Sequence, residues 1–414
     1  MTKEYNVTPQ LPSTGFTIAE LFAGGGLMAI GLKAAGYDIK WANDFDRNAV
    51  KAYKANLGDY IVHGDITAID PNDIPDVDII AGGPPCQDYS VAGTGAGEQG
   101  ERGKLVWTYL DIIQRKQPKA FIFENVKGLV GKRHKQTFES LLAKFAEIGY
   151  IVSHRVVNAW DYGVAQKRER VFIVGIRKDI GFTFEFPEPK PEDYRTQVLR
   201  DVIGDLPEPN DGTNGHIQTQ ATTVKESNKL SFQRQYVADW EKPARTVNTN
   251  RLDHAEIHPG TMNHNTYPLT QAQYEHSRDH QIGYNDSLDK PARILRAKAE
   301  NILDVANHVG KYLGDYEGFE SRTRRRSMDD ASYTVDTRWD INYVHPTQPR
   351  RFTVRECLRI QSVPDTYVLP EDMSLSAMYR VVGNGVASRV AYLLGIALAE
   401  QLAESLTKSN EKSA

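Results

Sequence analysis

The segment AGGPPCQDYSVAG, residues 81–93, sets Cys86 behind Gly-Gly-Pro-Pro and directly after the apolar run VDII. Cys86 is one of two cysteines in 414 residues. The other, Cys357, stands far along the chain in RECLRIQ and reads as a core or interface residue on a helix. There is no CxxC pair and no His/Cys cluster, so neither a zinc site nor a disulfide is expected, as suits a reducing compartment. A buried structural thiol needs no rigid Pro-Pro approach and no glycine-rich segment after it. A presented thiol does, because it must meet an electrophile. What it attacks must then be protonated, and an acid has to stand nearby. Glu124, in AFIFENV, ends the next apolar run and so reaches the same sheet edge if the two runs are neighbouring parallel strands. A thiol with a buried acid does not suit hydride transfer.

A second group of residues reads as a nucleotide site. ELFAGGGLMAIGLKAAGY runs from a strand through three glycines into a helix, where a ligand can approach the backbone at the helix N-terminus. The spacing Gly24-x-Gly26-x-x-Ala29 fits the dinucleotide fingerprint, and an acid follows about 20 residues on. That acid, Asp44 in NDFD, can bind ribose hydroxyls. Phe45 can stack on an adenine, and Asp65 in HGDIT can accept from its amino group. These residues point to an adenosine-containing ligand and leave NAD and S-adenosylmethionine both open. The Cys86–Glu124 pairing decides for the methyl donor.

The elements that must position these groups are legible as alternating runs. FTIAEL, YDIKWAN, YIVHG, VDIIAG, AFIFEN, IVSHRVV and VFIVGI read as strands. LMAIGLKAAG, RNAVKAYKANL, LVWTYLDIIQRK and KQTFESLLAKFAEIG between them carry helical periodicity. The alternation predicts an α/β fold, a doubly wound and mostly parallel seven-stranded sheet covered on both faces. No helix separates the last two strands, so they pair antiparallel. FPEPKPEDY marks a boundary near residue 186, and 190–345 is polar, suiting a smaller, loop-rich domain. Within it WEKPARTVNTNRLDHAEIHPG (240–260) faintly resembles MDDASYTVDTRWDINYVHPTQ (328–348), which is chance or a duplicated hairpin. Residues 386–406 form an amphipathic helix whose apolar stripe needs the main core, and the tail TKSNEKSA is expected to be disordered.

The chain is 40% hydrophobic with a formal net charge of −4. No uncharged apolar run approaches the roughly 18 residues of a membrane span, and the polar N-terminus is no signal peptide. The chain as a whole is not a basic nucleic-acid binder. KGLVGKRHK, QKRER, SRTRRRS and PRRFTVRE are nevertheless local basic groups. Each alone reads as a solvated face, but together they fit an acidic protein with one basic cleft.

These motifs in this order resemble the DNA (cytosine-5)-methyltransferase family, over residues 16–177 and 343–400. LFAGGG resembles its methionine-binding loop, NDFD and GDI its adenosine-binding acids, and GGPPCQDYS its Pro-Cys-Gln motif. FENVKGL is similar to its Glu-Asn-Val motif and QKRERVFIVG to Gln-x-Arg-x-Arg. RRFTVRECLRIQSVPDTY and YRVVGNGVASRVAYLLGIAL resemble its last two motifs. GNGV stands where many members have Gly-Asn-Ala-Val or Gly-Asn-Ser-Val.

The resemblance implies a Rossmann-like methyltransferase fold. Its catalytic domain would span 1–186, completed by 370–414. A small target-recognition domain would span 187–369 and include the ninth motif near 350–367. It implies that Cys86 adds to C6 of cytosine, that Glu124 holds N3 and the exocyclic amine, and that Arg170 and Arg168 reach the O2 side. Pro85, Asn125 and Gln166 would order the site. S-adenosylmethionine would be held by Phe22, Ala23, Gly24, Gly26, Leu27, Asp44, Phe45, Asp65, Ile66, Pro84, Asn384 and Val386. Gln87, Ser90, Arg102, Arg324, Arg325 and Thr334 would meet DNA, with the base flipped out and the loop after Cys86 closing over it. Thr334-Val335 holds the Thr-Leu-like position before the ninth motif, and Thr246-Val247 sits in the faint first copy. The implied partner is double-stranded DNA, with no metal and no membrane. The protein would be a cytoplasmic monomer from a bacterium, archaeon or phage, with a separate cognate endonuclease where one exists. Two other readings stay open. One is a transfer-RNA methyltransferase, disfavoured by the long polar domain. The other is a regulator that has lost catalysis, disfavoured by intact Cys86, Glu124 and Arg170.

Overall fold

The structure is a computed structural model. It describes residues 4–85, 104–218 and 350–413, with short pieces 323–325, 328–329, 331–332, 334–335, 342–345 and 347–348 between. Cys86, Gln87, Ser90, Arg102, the pair Thr246-Val247 and the whole first copy of the faint repeat lie outside the described residues.

All seven expected strands form. They are β1 (Thr17–Leu21), β2 (Asp38–Asp44), β3 (Ile61–His63), β4 (Ile79–Gly82), β5 (Ala120–Val126), β6 (Tyr150–Asn158) and β7 (Glu169–Arg177). The helices between them are α1 (Leu27–Ala34), α2 (Arg47–Asn56), α3 (Lys104–Lys116) and α4 (Lys135–Glu147). The sheet order is β3-β2-β1-β4-β5-β7-β6. The first five strands are parallel, and β7 runs antiparallel between β5 and β6. Strand order reverses between β1 and β4. A ligand crevice is expected beyond the C-terminal strand ends at such a reversal. The central strands are apolar because helices cover both faces: Ile18, Ala19 and Leu21, Ile79 to Ala81, and Ala120 to Phe123 are all buried.

One face of the sheet packs an aromatic group in which the Phe121 and Phe145 rings lie 4.3 Å apart and Tyr109 meets Phe123 edge-on. On the other face lie α1 and the C-terminal helices. After α5 (Leu199–Ile203) come the short parallel strands β8 (Thr323–Arg325) and β9 (Asn342–Val344). Then follow α6 (Val354–Ile360), α7 (Leu375–Asn384) and α8 (Ser388–Ser413). The Ser388 hydroxyl donates to the Leu27 carbonyl at 2.8 Å and Tyr37 to the Gly395 carbonyl at 2.8 Å, seating α8 on α1.

Two expectations need correction. The tail is not disordered: α8 runs to Ser413, since no Gly or Pro interrupts it and Glu404 pairs with Lys408 one turn on. The stretch Leu375–Lys408 is, by length and composition, apolar enough to cross a membrane although Arg389 and Glu400 interrupt its uncharged runs; 67% of its most apolar window is buried inside the fold, as a core helix requires. The compact units also divide elsewhere than at residue 187. One comprises 1–218, 326–340 and 352–414; the other comprises 219–325 and 341–351. The ninth-motif helix α6 thus belongs with the α/β sheet, because its Val354, Leu358 and Ile360 are buried there.

Candidate active site

The glycine turn leaves β1 with Phe22 in the left-handed region (φ 55), unusual for a bulky side chain and typical of functional turns. The three glycines differ in what surrounds them. A Cβ on Gly25 would come 2.4 Å from Val381 and 2.7 Å from the Tyr367 hydroxyl, so Gly25 backs onto protein. Gly24 has φ +56 and nothing within 4 Å of its Cβ position, so it faces open space. The turn is fixed from below and from the side. Tyr367 donates to the Gly25 carbonyl at 2.8 Å, and the Gly24 N–H donates to Asp44 Oδ2 at 2.8 Å.

Asp44 ends β2. Its other oxygen accepts the Asp46 N–H at 2.8 Å. Burial raises its carboxyl above the ordinary range, and the N–H groups of Asp46 and Gly24 oppose that. A carboxylate has about four acceptor sites, so capacity remains for a ligand. Phe45 is 72% exposed, a large ring with no protein over it. Asp65, beyond β3, is exposed; its Oδ1 caps the following turn through the Thr67 N–H at 2.9 Å. Ile66 and Val386 are buried and Asn384 is exposed. The Ala23 N–H donates to the Asn43 carbonyl, and Asn43 Nδ2 reaches the Val62 and Gly64 carbonyls, so β1, β2 and β3 present their ends as one rim. An open left-handed glycine, an acid on the next strand and an uncovered aromatic ring beside it fit an adenosine-bearing ligand.

The second half of the site stands on β4 and β5. A Cβ on Gly83 would lie 2.9 Å from Glu124 Oε2, so the carboxyl rests against the segment leading to Pro84 and Pro85. Asn125 Nδ2 donates to the Pro84 carbonyl at 3.2 Å and fastens that segment to β5. Glu124 is 9% exposed and pairs with Arg170 at 3.1 Å. Arg170 comes from β7, where Val126 pairs with Arg170 and Glu124 with Phe172, so the ion pair is diagonal on one sheet face. Burial raises the Glu124 carboxyl, while the guanidinium charges of Arg170 and then Arg168 pull it back. Burial thus favours the protonated carboxyl and the guanidinium charges favour the carboxylate.

Arg168 is 3% exposed, and its guanidinium donates to three backbone carbonyls. Gln166 is fully buried and accepts the Val335 N–H at 3.2 Å. Thr334 donates to the Lys167 carbonyl at 2.9 Å. Arg324 and Arg325 lie in β8 of the other unit. Cys357 is buried, and burial pushes its thiol far up, which suits an inert core residue.

The sequence reading missed Glu20, Tyr53 and Tyr367. Glu20 sits in β1 under the glycine turn at 2% exposure, where its carboxyl faces the Ala29 N–H and the Tyr53 hydroxyl. Neither Glu20 Oε2 nor the Tyr53 oxygen reaches full hydrogen-bond geometry. The signal was an acid in the middle of an apolar strand; Tyr53 and Tyr367 gave none.

Fold and site together define a Rossmann-like methyltransferase. The solved structures it resembles are of that kind: a prophage-encoded DNA modification methyltransferase of E. coli (TM-score 0.59, 21% identity, 94% of this chain and 100% of that one) and the Dnmt2 methyltransferase of S. pombe (TM-score 0.51, 16% identity, 92% and 98%). Residues 16–400 match the C-5 cytosine-specific DNA methylase family; the chain belongs to that family and is a DNA (cytosine-5)-methyltransferase. Among its relatives are the Type II methyltransferases M.MthTI of Methanothermobacter thermautotrophicus, 31% identical over 95% of this chain and 98% of the relative, and M.FnuDI of Fusobacterium nucleatum, 30% identical over 94% and 95%. M.NgoFVII of Neisseria gonorrhoeae is 47% identical over 45% of this chain and 50% of its own.

Proposed function

We propose that the protein methylates carbon 5 of a cytosine turned out of duplex DNA at a short specific site, with S-adenosylmethionine as donor. Its setting would be the cytoplasm, as a monomer serving as the modification arm of a restriction-modification system. The observation that carries this reading is the buried Glu124–Arg170 pair resting against Gly83, ahead of the Pro84-Pro85 turn. The residue that follows Pro85 in the sequence is Cys86. That relatives of near-equal length are named Type II methyltransferases supports the restriction-modification setting.

S-adenosylmethionine supplies an electrophilic methyl group. Phe22 to Leu27, Asp44, Phe45, Asp65, Ile66, Pro84, Asn384 and Val386 would hold it. The chain's own residues make cytosine reactive enough to take it. The Cys86 thiolate forms a bond to C6, while Glu124 donates a hydrogen bond or proton at N3 and Arg170 polarises the O2 side. The C5–C6 double bond is consumed, and C5 becomes an enamine carbon able to attack the methyl group. The C5 proton then leaves to solvent base, the S–C6 bond breaks and the thiolate returns. Unpairing the base costs a few kcal/mol, which contacts from Gln87, Ser90, Arg102 and Thr334 would offset. Arg324 and Arg325 would contact phosphate.

The test begins with bisulfite mapping of DNA from cells expressing the protein, which identifies the modified site. A duplex carrying 5-fluorocytosine at that site should then form a denaturation-resistant complex, since fluorine cannot leave as the proton does. Cys86→Ser should form none and lose turnover while still binding S-adenosylmethionine. A serine variant that methylates at a rate near wild type defeats the mechanism.

A further inference from the structure

Arg168 is a buried arginine whose guanidinium donates to three backbone carbonyls. Nη1 donates to the Val335 carbonyl at 3.1 Å. Nη2 donates to the carbonyls of Gly383 at 3.2 Å and Gly385 at 2.8 Å. The last two flank Asn384, the residue where α7 ends. Helix ends leave carbonyls unsatisfied, and their aligned dipoles favour a cation there. A planar guanidinium spans several carbonyls at once, which an ammonium cannot do in the same geometry. The Val335 side is held by more than this bond. The Val335 N–H goes to Gln166 Oε1, Thr334 to the Lys167 carbonyl, and Ser332 bridges Gln166. The three residues 166–168 therefore hold Ser332, Thr334 and Val335 together with the 383–385 turn.

We propose that Arg168 is a positioning residue that couples the cofactor turn at Asn384 and Val386 to the Thr334-Val335 segment, so that ligands at the two places alter each other's affinity. This rests on the reading that the 383–386 turn holds S-adenosylmethionine. The coupling is reciprocal by linkage. It also differs from a role at the base, where Arg168 would act on the chemical step and leave cofactor affinity alone.

The experiment compares the full-length enzyme with Arg168→Lys. Calorimetry measures the affinity for S-adenosylhomocysteine, the unreactive product, with and without duplex carrying the mapped site. Single-turnover methylation is measured at saturating S-adenosylmethionine. Wild type should bind the product more tightly when DNA is present. In Arg168→Lys the affinity should fall about tenfold or more, as loss of charge-assisted hydrogen bonds implies. DNA should no longer change it, while the single-turnover rate stays within a few-fold of wild type. Unchanged affinity with a collapsed rate overturns the proposal in favour of a contact to the base. Equal affinities with and without DNA in wild type overturn the coupling. Should the lysine variant not fold, nitrogen-15 spectra of arginine-labelled wild type serve instead. The Arg168 Nη signals should move on adding S-adenosylhomocysteine alone; movement only with cytosine-containing DNA overturns the proposal. A wild type that methylates but binds neither adenosyl ligand would instead defeat the cofactor reading beneath it.

Discussion

Glu20 shows how a single residue can tie stability to pH. Its carboxyl lies under the glycine turn, and burial pushes it up to about 8, against which the Ala29 N–H and Tyr53 act only in part. Asp44 adds like charge, and Tyr60 stands against Tyr53 with its ring edge-on at 5.9 Å. Because the folded chain holds this proton more tightly than the unfolded one, the group's contribution is full below about 4.5 and is lost as pH rises through about 8. Glu20→Gln mimics the protonated form. Thermal unfolding should therefore show the variant more stable than wild type at pH 8.5, by on the order of 2–4 kcal/mol, since each tenfold change in proton affinity is worth about 1.4 kcal/mol. The two should nearly coincide at pH 5. A difference that is the same at both pH values would mean that Glu20 is already ionised in the fold. Glu20 was readable only as an anomaly in ELFAGGG, since its partners come from helices α1 and α2. The carbonyl partners of Arg168 were hidden for a similar reason. Its acceptors are main-chain carbonyls 167 to 217 residues away, and a carbonyl has no letter in the sequence.

At the scale of elements, the glycine turn separates two demands that one motif conceals. Gly25 meets protein and Gly24 meets open space. Gly25→Ala should overpack against Val381 and Tyr367 and cost roughly 1–3 kcal/mol in denaturant unfolding. Gly24→Ala has room, and loses only about 1 kcal/mol to a left-handed alanine. It should nonetheless weaken S-adenosylmethionine binding measured by calorimetry at least as much as Gly25→Ala does. If Gly24→Ala binds the cofactor as wild type does, no ligand approaches that backbone. The strands were legible because a sheet covered on both faces demands continuous apolar runs, and the acids at their ends stood out against them. The antiparallel β6–β7 pair followed from the missing helix between them. The ninth-motif helix was not assigned to the sheet unit, because its buried face, with Cys357 and even Arg355 and Arg359 inside, reads as charged. Asp365 pairs with Arg359, and backbone carbonyls take Arg355; both are tertiary facts.

At the scale of the whole molecule, the question is where one unit can be exchanged for another. The polar stretch 190–345 looked like one recognition domain. Within the compact unit that contains the sheet, however, Arg200 pairs with Asp329 at 2.8 Å, the Arg200 N–H donates to the Met328 carbonyl, and 332–335 is held by Gln166 to Arg168. Met328, Asp329, Ser332, Thr334 and Val335 are thus part of the catalytic unit's hydrogen bonding, and a cut among them leaves buried carbonyls and Arg168 to find new partners. Unsatisfied buried groups cost about 1–3 kcal/mol each. Grafting 219–325 together with 341–351, the two stretches of the other unit that pair as β8 and β9, from a relative with another target should give a chimera that unfolds near the recipient's temperature and methylates the donor's site, as read by bisulfite sequencing. Exchange of 190–345 should transfer the site only with a clear loss of stability, because foreign residues then face Gln166 and Arg168. A stable, active chimera of this kind that keeps the recipient's site would mean that base readout lies in 326–340, with Thr334 the first residue to replace.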